Sequence, residues 1–96
     1  MRWIWNAEKN AANKQKHGIS FEIAELVFND HLAASRRDHY PYEERWQTIG
    51  LIGTVVVLVV HTMPEIDEVT GKETGRIISA RKATLHERRA YEENDF

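Results

Sequence analysis

Arginine, lysine, glutamate, histidine and tyrosine are the side chains of this sequence with chemistry to offer, and no familiar motif gathers them. There is no Cys, which removes thiol nucleophiles, disulfides and Cys-ligated zinc, and a reducing compartment is compatible. A Gly-rich phosphate loop, a GxSxG elbow and an HExxH pair are all absent. The five His residues show no metal-ligand spacing. His61 with Glu65 and Asp67 can be drawn as a site, but an acidic loop beside a strand end accounts for them equally well. What remains is the inventory of metal-free RNA cleavage, in which a 2′-OH attacks its own phosphodiester. A base takes the proton, an acid protonates the 5′-oxygen, and cations stabilise the phosphorane. Arg suits the last task, because its planar fork meets two phosphate oxygens and its charge is permanent. Spacing alone does not bring these residues together.

The element that must position them is Thr54–His61, TVVVLVVH, a run of Val and Leu with no charge, Gly or Pro inside. β-Branched residues favour a pleated surface over a helix. Apolar residues on both parities predict a central strand covered on both faces. The run is far short of the ~20 residues of a membrane helix.

Around it the chain reads in order. Arg2–Trp5 is a first strand. Asn6 caps a helix from about Ala7 to His17 that stops at Gly18. Lys9, Asn13 and Lys16 share one face of that helix, read on its own as a solvated stripe. Ser20 caps a second helix, Phe21–Phe28, whose apolar stripe is Phe21, Ala24 and Phe28, widened by Ile23 and Val27. Asp30 is turn chemistry. Ala33–Tyr40, with Arg36, Arg37 and Asp38, reads as a polar edge strand ended by Pro41. Glu44–Ile52 is the next strand, with Arg45 and Gln47 on one face and Trp46 and Thr48 on the other. Gly53 turns it into Thr54–His61. Met63–Gly75 is a long acidic loop or a hairpin extension with Thr70-Gly71-Lys72 at its tip. Arg76–Ala80 is the last strand, and a helix from Arg81 or Lys82 to about Asn94 ends the chain. The order β-α-α-β-β-β-β-α describes one α+β domain over residues 1–96, with a small, mostly antiparallel sheet.

The net charge of −2 argues mildly against a simple nucleic-acid binder. The acids are concentrated, however. Pro64–Gly75 holds four acids against one Lys, and Glu92, Glu93 and Asp95 close the chain, so the remainder carries +4. No signal peptide or membrane span is visible, and a soluble, cytoplasmic protein is expected.

Several blocks resemble the BrnT family, the toxins of type II toxin–antitoxin pairs. These are Lys9…Asn13…Lys16-His17-Gly18-Ile19-Ser20-Phe21-Glu22…Ala24, Glu44-Arg45…Ile49-Gly50, and Val59-Val60-His61-Thr62. Arg76-Ile77-Ile78-Ser79-Ala80-Arg81-Lys82-Ala83-Thr84…Glu87-Arg88…Tyr91-Glu92 completes the series. The match spans nearly the whole chain in order. It implies a RelE-like fold and a metal-independent endoribonuclease that inhibits growth and needs no cofactor. It also implies neutralisation by a BrnA-like ribbon-helix-helix antitoxin, with operator DNA bound only through that antitoxin.

Carried over residue by residue, the resemblance favours Arg81 and Arg45 on the phosphate, with Glu44 or His61 as proton acceptor. Lys16, His17, Arg76 and Tyr91 are its RNA contacts. Each also has a structural reading. His17 ends a helix, Glu44 and Arg45 form a strand-edge pair, Arg81 pairs with Glu87 or positions the last helix, and Tyr91 is core. The sequence departs from the family twice. Trp5-Asn6 replaces the usual Trp-Asp, and Met63-Pro64-Glu65 follows the Val-Val-x-Thr strand end where an Arg is common. A non-catalytic antitoxin-binding subunit of an autoregulatory DNA-binding complex is the alternative. Direct DNA reading by this chain ranks last, for want of a recognition helix.

Overall fold

A computed structural model describes residues 1–96. Its elements are β1 (Arg2–Ile4), α1 (Ala7–His17), α2 (Phe21–Ala24), β2 (Ala34–Arg37), β3 (Trp46–Ile52), β4 (Val55–His61), β5 (Glu65–Ile66), β6 (Glu73–Lys82) and α3 (Leu85–Glu92), with a 3₁₀ turn over Glu25–Asn29. The strands form a mixed sheet in the order β1-β6-β4-β3-β2, with β5 paired to β6. β1 runs parallel to β6, and every other pairing is antiparallel. This is an α+β fold in which β4 is central, as its uninterrupted apolar run requires, and Val56 to Val59 are buried.

The helices at the start of the chain cover one face. Phe21, Ala24 and Val27 pack there with Val57, Val59, Ile77 and Ala80, and Trp3 and Phe28 stack at the margin with ring centroids 4.1 Å apart. Gly50 lies under this layer. A Cβ on it would sit 3.0 Å from the Val27 carbonyl oxygen, so only glycine lets the 3₁₀ turn approach β3 this closely. The helix signals read from the sequence hold: Asn6 accepts from the Lys9 amide, Ser20 accepts from the Ile23 amide, and Gly18 ends α1 at φ +75°.

Three expectations need correction, and one is extended. The second helix is α-helical only to Ala24 before tightening into the 3₁₀ turn, and Ile23 faces solvent instead of widening the apolar stripe. Asn13 does not belong to a solvated stripe. It is buried, donates to the carbonyls of Ile19 and Ala80, and accepts from the Ala80 amide. It thereby satisfies β6 beyond the point where β1 ends. Asp30 does more than close its turn. Besides accepting from the Leu32 amide it accepts from the Leu51 amide and from the Tyr91 hydroxyl, tying α3 to β3. Of the two readings of Met63–Gly75, the hairpin extension holds, with the short strand β5 on one side and Thr70-Gly71-Lys72 in the turn. β5 lies against Glu73–Thr74, and Asp67 accepts from the amides of Val69 and Thr70 in the turn. The last strand is longer than Arg76–Ala80 at both ends, so Arg81 and Lys82 belong to β6 and the last helix starts only at Leu85, after its Thr84 cap.

Candidate functional site

The second face of the sheet carries four guanidinium groups, those of Arg36, Arg45, Arg76 and Arg81. Register defines it, because side chains directly opposite share a face and residues two apart continue it. One row across the strands is Ala34, Ile49, Leu58 and Arg81; the next is Arg36, Gln47, Val60 and Ser79. A bulge between Val60 and His61 resets β6, so that Ile77 faces the helical core and Arg76 the opposite side. Arg45, two residues before Gln47, extends the same face. At about 3.4 Å per residue the Arg81 and Arg45 ends lie about 14 Å apart along the strands.

α3 crosses one end of this face. Thr84 caps it through a reciprocal capping box: its hydroxyl accepts from the Glu87 amide while Glu87 accepts from the Thr84 amide. Glu87 thereby meets Arg81, whose fork donates to both carboxylate oxygens at 2.7 and 2.9 Å. A guanidinium nitrogen of Arg36 stands 4.0 Å from the same carboxylate. Arg36 also donates to Gln47 and stacks over the Phe96 ring, 4.1 Å from its centroid. The Arg81 fork, helped by the Thr84 amide and opposed by burial, holds the Glu87 carboxyl down at about 2. Tyr91 is pushed up to about 12 by its hydrogen bond to Asp30, whose own pKa falls for the same reason.

The other end repeats the pattern. Arg76 donates to both oxygens of Glu43 at 2.7 and 2.9 Å, and the Arg45 Nε donates to one of them at 3.0 Å. Arg76 first, and Arg45 second, keep the Glu43 carboxyl below its ordinary range. The Arg45 guanidinium lies 3.7 Å from the Tyr40 ring centroid. Asp38 closes the loop beneath them: its amide donates to the Arg45 carbonyl, and its carboxylate accepts from Gln47 and from the Tyr40 amide. The face therefore presents two arginine pairs, each bridged by one carboxylate. Such a carboxylate occupies the kind of position that phosphate oxygens take between guanidinium forks.

The eight residues singled out in the sequence do not form one cluster. Arg45 and Arg76 meet at Glu43, Arg81 stands at the α3 end, and Tyr91 is engaged with Asp30. Glu44 has the opposite parity to Arg45 and accepts from the Trp46 indole at 3.3 Å. Lys16 and His17 close α1 on the helical side of the sheet. His61 is 3% exposed, edge-on to Trp3 and Phe28. Its Nδ1 donates to the Thr62 carbonyl, so the neutral ring accepts at Nε2 from the Thr48 hydroxyl, which accepts in turn from Ser35. Burial lowers its pKa. Sequence reasoning overlooked Glu43 and treated Arg36 only as an edge charge, since only strand register puts them beside the other arginines.

No group of three or more His, Cys, Asp or Glu side chains is arranged to hold a metal ion. No helix is long and apolar enough to cross a membrane. No curated protein matches the chain. Residues 5–87 match the family described as ribonuclease toxin, BrnT, of type II toxin–antitoxin systems. The blocks from Lys16-His17-Gly18 to Glu87 lie inside that span, and with most of its length covered the chain belongs to the BrnT family of ribonuclease toxins.

Proposed function

We propose that this chain is a single-domain, RelE-like, cytoplasmic endoribonuclease that cleaves RNA without a metal and arrests growth until a BrnA-like ribbon-helix-helix antitoxin binds it. The observation that carries the reading is the pair of carboxylate-bridged arginine pairs on one sheet face. RNA phosphates displace the carboxylates, Arg45 and Arg76 hold the scissile phosphate, and Arg36 and Arg81 hold one further along the strand. Glu43, released from its two partners, is the carboxylate nearest the scissile group and takes the 2′-OH proton. The 2′-oxygen bonds to phosphorus, the P–O5′ bond breaks, and the departing oxygen takes a proton from water. The guanidinium pair stabilises the charge that builds on the phosphorane.

The test is purified protein on RNA in the presence of a chelator. Cleavage leaving 2′,3′-cyclic phosphate and 5′-hydroxyl ends is expected, with a 2′-deoxy nucleotide at the scissile position protecting the strand. Arg45→Ala should slow cleavage on the order of 100- to 1,000-fold while remaining folded. Dependence on a divalent metal would refute the mechanism. Folded wild type that leaves RNA intact would favour the non-catalytic antitoxin-binding role, in which the carboxylates never leave their arginines.

A further inference from the structure

We propose that the loop between β2 and β3 carries a stacking platform for an unpaired nucleobase, formed by Tyr40 and Tyr42; this rests on the ribonuclease reading above. Tyr42 is 86% exposed, and its ring meets that of Tyr40 edge-on with centroids 5.6 Å apart. Tyr40 is itself 41% exposed and carries the Arg45 guanidinium on its face. Two accessible aromatic rings and one arginine plane thus stand together at the phosphate-facing end of the site. Proteins that hold single-stranded RNA use this combination, with bases stacked on aromatic rings while nearby cations follow the backbone.

The platform is held in place before any ligand arrives. Pro41 fixes its own φ and restricts Tyr40 to an extended conformation. Tyr40 donates its amide to Asp38, and the Asp38 amide closes the loop onto the Arg45 carbonyl. On the far side of Tyr42, Glu43 is anchored by Arg45 and Arg76. Tyr42 is therefore flanked by fixed backbone, although its own ring makes no core contact. A base seated on it would adjoin a phosphate at Arg45, whose guanidinium lies on the neighbouring Tyr40 ring.

The experiment measures binding of the full chain to a short single-stranded RNA made uncleavable by 2′-O-methyl substitution. Tyr42→Ala should bind on the order of 5- to 100-fold more weakly, and Tyr42→Phe within about twofold of wild type. An abasic nucleotide, scanned along the RNA, should weaken wild type at one position and leave Tyr42→Ala unaffected there. Coincident thermal melts of the three proteins would show that the fold is intact. Equal binding by wild type and Tyr42→Ala, or a Phe variant as weak as the Ala variant, overturns the platform. If wild type still cleaves RNA in that case, the ribonuclease reading stands without it, whereas a wild type that neither binds nor cleaves RNA overturns both.

Discussion

Replacing Glu87 by Gln removes one charge from a little-exposed carboxylate that accepts three hydrogen bonds. Its side chain is 11% exposed and accepts from the Arg81 fork and the Thr84 amide. A carboxyl that ordinarily titrates at 4.5 and here at about 2 contributes on the order of 3 kcal/mol of stability at neutral pH. Arg81, however, is 37% exposed, so solvent screens part of the pair, and about 2 kcal/mol is the measurable share. The folded pKa is depressed, so this stability is fully present above 4.5 and lost as pH falls toward 2, with less than about half left at pH 3. Urea unfolding of wild type and Glu87→Gln from pH 7 to pH 3 isolates the contribution, because Asp30, Asp38 and Glu43 titrate alike in both proteins. The expected gap of about 2 kcal/mol at pH 7, roughly 8–16 °C in melting temperature, should narrow steadily below pH 4.5. A variant as stable as wild type at pH 7, or a gap that does not move with pH, would refute the reasoning.

Two further perturbations test other parts of the fold. His61 is buried with a lowered pKa, so its contribution is complete above the ordinary value of 6.5 and declines as pH falls through the lowered one; an imidazole that titrates at or above 6.5 by NMR would contradict its placement. Asn13→Ala deprives the Ala80 amide and two carbonyls of their partners and should cost about 2–3 kcal/mol in urea unfolding, against less than ~0.5 kcal/mol if the stripe were solvated as its spacing suggests.

What the sequence made legible is what local physics controls. Asn6, Ser20 and Gly18 mark helix ends because capping is settled within a few residues, and the Val run of β4 reads as central because no exposed strand would tolerate it. The Arg81–Glu87 pair was among the alternatives because both residues lie in one short stretch. The burial of Asn13 and the ties of Asp30 beyond its own turn are not legible, for the converse reason. Their partners at Ala80 and Tyr91 are more than sixty residues away, and nothing local distinguishes a surface Asn from one that completes a strand edge. The parallel β1–β6 pairing and the bulge at Val60/His61 are non-local in the same sense. That bulge decides which face Arg76 occupies, so the arginine pairs cannot be assembled from strand alternation alone.

The bridging carboxylates connect stability with the proposed chemistry. An arginine face left unpaired would gather four cations that repel one another, and α3 would lack the contact by which Glu87 fastens it to the sheet. With Glu43 and Glu87 in place half of that charge is offset and the face is rigid, but each phosphate that binds must displace an acid already holding the same forks. The two ends differ in how hard that is. Glu87 is nearly buried and doubly tied through the capping box, whereas Glu43 sits in a loop, 38% exposed, with no amide partner of its own. Phosphate should therefore exchange first at Arg45 and Arg76. Removing Glu43 should then raise RNA affinity at little cost in stability, while removing Glu87 should exact its cost in stability before affinity can rise.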